Sequence, residues 1–75
     1  MDIRKISVGP DYKSGAMHYI VGQKVLSDAY EIEAILFNAD LGSIRVYIIN
    51  NKKEVLLWKE FNATIPLSIE YNINY

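Results

Sequence analysis

YEIEAILF, residues 30 to 37, is the stretch on which the fold turns, because two periods coexist in it. Tyr30, Ile32, Ala34 and Leu36 alternate with Glu31, Glu33, Ile35 and Phe37, the two-residue period of a strand. Ala29, Ile32 and Ile35 or Leu36 also fit a helical stripe, and Asp28 followed by Glu31 imitates a capping box. We adopt the strand reading, which makes the chain mainly β. A helix between residues 24 and 36 would make it α+β instead.

On the C-terminal side, SIRVYII (43–49) is rich in β-branched and aromatic residues that suit a pleated surface. Asn50-Asn51-Lys52-Lys53 then supplies turn chemistry before the apolar run Val55–Trp58, so these segments read as a hairpin. Ala39-Asp40-Leu41-Gly42 is a second turn, joining Ile44 back to 30–37 in a meander. At the end of the chain Leu67, Ile69, Tyr71, Ile73 and Tyr75 alternate with Ser68, Glu70, Asn72 and Asn74, one face buried and one wet. Pro66 marks that strand's start. On the N-terminal side, Ile3–Val8 and Ala16–Val21 flank GPDYKSG (9–15) as a hairpin with a wide, polar, glycine-bounded loop. The expected architecture is one domain over residues 1–75, a small antiparallel meander, sandwich or open barrel of about six short strands with at most one helix.

Composition limits the chemistry. Seventy-five residues bury only about 60% of the surface that the unfolded chain exposes, so the core is marginal. With no cysteine and a single histidine, neither disulfides nor a Cys/His zinc site can reinforce it, which leaves association with partner chains. Net charge is −1, against the basic excess that duplex nucleic acid demands. The start MDIRKISVGP carries charges at Asp2, Arg4 and Lys5 and no apolar signal segment, so a cytoplasmic location and no membrane contact are expected.

Apolar residues occupy both faces of the later strands: Ile44, Val46 and Ile48 oppose Arg45, Tyr47 and Ile49, and Val55 and Leu57 oppose Leu56 and Trp58. Either residues 22–36 cover the second face, or a subunit interface does. In a homo-oligomer, Tyr47, Trp58, Tyr71 and Tyr75 are the candidate interface aromatics.

Catalytic fingerprints are missing. The glycines lack phosphate-loop or dinucleotide spacing, and His18 is the one base that a serine triad would have, placed mid-strand between Met17 and Tyr19. Glu31 and Glu33 read as a solvated acidic face, not a metal site. GPDYKSG is the segment best suited to a ligand: Gly9 and Gly15 free the backbone, Lys13 and Ser14 can meet phosphate, and Tyr12 can stack on a base. An ordinary hairpin turn uses the same residue types.

KISVGPDYKSGAMHYIVGQ (Lys5–Gln23) and WKEFNATIPLSIEYNINY (Trp58–Tyr75), together about half of the chain, resemble small phage-encoded proteins of the sponge type, which sequester the cyclic nucleotide signals of bacterial anti-phage defence such as CBASS. The resemblance implies a viral immune-evasion protein, an oligomer that binds a cyclic dinucleotide without cleaving it and needs no cofactor. In such an oligomer Tyr12 or Tyr19 would stack on bases, Lys13 with Arg4 or Lys24 would neutralise phosphates, and Ser14 and His18 would line the site. The alternative is an interaction module that inhibits a host protein through an exposed strand edge or aromatic patch.

Overall fold

In the computed structural model, which describes residues 2–9, 17–62 and 67–72, the decisive stretch is strand throughout. Seven strands follow one another: β1 (Ile3–Val8), β2 (Met17–Ile20), β3 (Lys24–Val25), β4 (Tyr30–Asn38), β5 (Ser43–Asn50), β6 (Val55–Asn62) and β7 (Leu67–Tyr71). No helix occurs among the described residues, so none there is long and apolar enough to cross a membrane. The capping box does not form. Leu26, Ser27 and Asp28 all take positive φ (53°, 58° and 68°), a left-handed turn that reverses the chain between β3 and β4. The seventh strand, absent from the expected count of six, is the two-residue β3 before that turn.

All pairings are antiparallel, in the orders β2-β1-β7 and β3-β4-β5-β6. The two sheets join where β2 bends into β3. Val21 N–H donates to the Arg4 carbonyl on one side, while Gly22 N–H donates to the Ile32 carbonyl and Ile32 N–H to Gln23 on the other. Gly22 holds φ +95°, a conformation L side chains rarely adopt, and so lets one chain segment leave one sheet and enter the next. A curled half-barrel results.

Three β-bulges add to the curl. Ile3 pairs with Tyr71 but Lys5 with Glu70, leaving Arg4 as an extra residue in β1. The same count leaves Glu33 extra in β4 and Trp58 extra in β6. Each bulge breaks the period of two and bends its strand. In β4 the consequence is visible in burial: Ile32 and Ile35 are buried, whereas Leu36, which simple alternation places beside Ile32, is exposed. Spacing of three, which imitated a helix in the sequence, belongs here to a bulged strand.

The inward side chains form one core. Ile3, Ile6, Val8 and Tyr19 from the first sheet meet Ile32, Ile35, Ile44, Val46 and Ile48 from the second. Each fully buried isoleucine contributes about 1.5–3 kcal/mol of transfer free energy. Val21, Val25, Tyr30, Trp58, Phe61, Leu67 and Ile69 pack around its margin.

Candidate functional site

The outer face of β4-β5-β6 is built by register. Directly opposed residues share a face, and the pairings place Leu36, Arg45 and Glu60 in one row, Ala34, Tyr47 and Leu57 in the next, and Glu31, Ile49 and Val55 in a third. Ile44, Val46 and Ile48 take the opposite, buried side. The outer centre is therefore apolar. Leu57 and Val55 are 44% and 54% exposed, beside half-buried Ala34, Tyr47 and Ile49. Two ion pairs border it: Arg45 Nε to Glu60 Oε2 at 2.6 Å, and Lys24 Nζ to Glu31 Oε1 at 3.2 Å. Hydrogen bonding to Arg45 holds the Glu60 carboxyl below its ordinary range against the opposing effect of burial, with Ser43 Oγ as a second donor at 3.3 Å. The Arg45 guanidinium is raised in turn, first by its bond to Glu60.

Of the expected interface aromatics, Tyr47 lies in this outer face. Trp58 does not. As the bulge residue of β6 it packs on the core, edge-on to Tyr19 with ring centroids 5.7 Å apart. Tyr71 is exposed at the end of β7, and Tyr75 lies outside the described residues.

Those of the expected ligand residues that are described do not converge. Tyr12, Lys13 and Ser14 lie outside the described residues. Tyr19 is corrected: at 6% exposure, with its ring against Trp58 and Phe61, it is a core residue and has no free face for a base. Lys24 is exposed and paired with Glu31 at the far end of the bend from His18. His18 stands on the outer face of the first sheet, its Nδ1 2.8 Å from the hydroxyl of Ser7, directly opposite in the register. This pair lies next to Val8 and Met17, the last pair of the β1-β2 ladder. Ser7 is buried, and among the described residues no carboxylate orients the other imidazole nitrogen. No three His, Asp or Glu groups gather as a metal site among those residues.

Sequence reasoning missed a cleft of about 500 Å³ between β4 and the ends of β1 and β7. Glu33, Ala34, Ile35, Leu36 and Phe37 line one wall, and Asp2, Ile3, Tyr71 and Asn72 the other. Asn72 N–H donates to the Asp2 carbonyl across its floor at 2.8 Å. No signal in the sequence reveals it, because it depends on how short β3 is.

No protein-family model matches the chain, and no curated protein or solved structure matches it either.

Proposed function

We propose that this domain works by binding, as a self-associating interaction module whose contact surface is the outer face of β4-β5-β6. The observation that carries this reading is the apolar centre of that face, Tyr47, Ile49, Val55 and Leu57, bordered by the Arg45–Glu60 and Lys24–Glu31 pairs. An apolar, tyrosine-bearing centre inside a charged rim is the anatomy of a protein interface. The occupant is a second copy of the chain. A domain of this size gains most from an added core, and a face with both charge signs at its border can satisfy its own image. Hydrogen exchange at rising protein concentration tests this: protection should grow along β6 and the outer-facing positions of β5. Protection that stays unchanged there would refute the assignment.

Sequestration of a cyclic nucleotide signal is the second reading, favoured by the Ser7–His18 pair, next to Val8 and Met17 on β1 and β2. Such a ligand would sit against His18, not in the cleft, since Asp2 and Glu33 repel phosphates. Thermal shifts with a panel of cyclic di- and trinucleotides, followed by denaturation and chromatography of the nucleotide, test it. Intact recovered ligand supports sequestration. No shift with any nucleotide eliminates it, and an altered nucleotide would indicate catalysis instead.

A further inference from the structure

The nine-residue β4 is paired with β5 along one whole edge, but on its other edge β3 covers only Tyr30 and Glu31, and Gly22 and Gln23 bond to Ile32. From Glu33 to Asn38 that second edge pairs with no strand among the described residues. The cleft follows it. Residues 33 to 37 all line the cleft although Ile35 and Phe37 belong to the core side of the sheet and Ala34 and Leu36 to its outer side, and what they share is the free edge of the strand. Opposite stand Ile3 and Tyr71, so the space is bounded by backbone on one side and by a second sheet on the other.

Its chemistry is equally particular. Phe37 and Tyr71 are 53% and 44% exposed, large rings at the mouth of a groove with apolar Ile3, Val21 and Leu36. Asp2 and Glu33 are its charged groups; no lysine or arginine is among its described lining residues, and neither carboxylate has an ion-pair partner among the described residues. We propose that the cleft is a strand-addition site for an extended, basic peptide segment of a partner protein, which pairs with the backbone of Glu33–Phe37 and sets a lysine or arginine between Asp2 and Glu33. Backbone pairing supplies affinity in this mode, and alternate side chains supply selectivity. Five strand residues span roughly 16 Å, so a segment of about that many residues fills the edge. The charge complement distinguishes this occupant from a second copy, whose β2 and β7 edges carry no lysine or arginine and whose Lys59 on the β6 edge stands beside Glu60 and over the Trp58 ring.

The test uses the whole chain and three capped heptapeptides of alternating threonine and valine: one with two lysines, one with glutamates in their place, and one with lysines and a methylated backbone nitrogen at its centre. Amide resonances of Glu33–Phe37 should shift with the lysine peptide, and its affinity should exceed that of the other two by roughly tenfold. Glu33→Lys should reverse the preference between lysine and glutamate peptides, a readout that a merely destabilised protein cannot produce. Equal binding of all three peptides, or no change at residues 33–37, overturns the proposal. In Leu57→Glu, which removes association through the outer face, shifts at 33–37 that appear on concentrating the protein alone also overturn it, since they assign the edge to a second copy.

Discussion

Tyr19 of β2 meets Trp58 of β6 edge to face, centroids 5.7 Å apart and planes at 77°, with Phe61 closing the other side of the tyrosine ring at 5.4 Å. These three rings join the outermost strand of the first sheet to the outermost strand of the second. Aromatic pairs in this geometry add about 0.5–1.5 kcal/mol beyond their burial. Replacing Tyr19 by Ala removes both the pairs and the filled volume, a loss of about 3–5 kcal/mol. That is comparable to the whole stability of a small domain. Urea unfolding followed by Trp58 fluorescence, the one tryptophan of the chain, should show Tyr19→Ala unfolded or nearly so in buffer, while Tyr19→Phe retains a cooperative transition.

Turn strain offers a gain in stability. Lys53 holds φ 68° in the β5-β6 turn, and Ser27 holds φ 58° in the left-handed run before β4. An L side chain in this region costs about 1–2 kcal/mol, so Lys53→Gly and Ser27→Gly should each raise the unfolding midpoint, less the entropy that glycine adds to the unfolded chain. In contrast, Asn50→Ala should lower the stability by about 1–2 kcal/mol. The Asn50 carboxamide oxygen accepts from the N–H of both Lys52 and Glu54, at 2.9 and 3.0 Å. Gly22→Ala separates conformation from sterics: a Cβ there would meet nothing within 4 Å, yet φ +95° should cost about 1–3 kcal/mol.

Much of this fold is legible in the sequence. The hairpin turns at 39–42 and 50–53 and the strand that starts after Pro66 follow from local chemistry and period. Which apolar face of β5 is core does not: both faces are apolar, and packing of the first sheet against Ile44, Val46 and Ile48 settles it. Nor can local reading reach the bulge. Glu33 carries no mark that it is the extra residue, so the face assignment of β4 slips, and Leu36 takes the place that Ile35 holds. Trp58 is misplaced for the same reason: its bulge and its contact with Tyr19, 39 positions away in the chain, are settled by tertiary packing. The outer face is anticipated through Tyr47 and the two-sided apolar strands. The cleft is not, since nothing in the sequence says that β3 stops after two residues.

Titration should leave two separable signatures. The Glu60 carboxyl is held below its ordinary value, chiefly by the Arg45 hydrogen bond, so its contribution is present above the ordinary carboxylate range and lost as pH falls through the lowered folded value. Both groups are exposed, so the effect is small and weakens in salt. Stability curves of the wild type and Glu60→Gln should converge on acidification. Tyr19 shifts the other way: burial raises its phenol, so stability is intact below the ordinary value of about 10 and declines as pH rises through the folded value. Tyr19→Phe should flatten that alkaline decline.

Self-association through the outer face of β4-β5-β6 is the central claim, and the mass in solution tests it most directly. Sedimentation equilibrium across a wide concentration range should give the wild-type chain a mass above the 8.6 kDa of one copy. Leu57→Glu, which sets a charge in the apolar centre beside Tyr47 without touching the core, should return the mass to one copy while the fold persists. A wild-type mass of 8.6 kDa at every concentration, or a Leu57→Glu protein that assembles as the wild type does, would contradict the account.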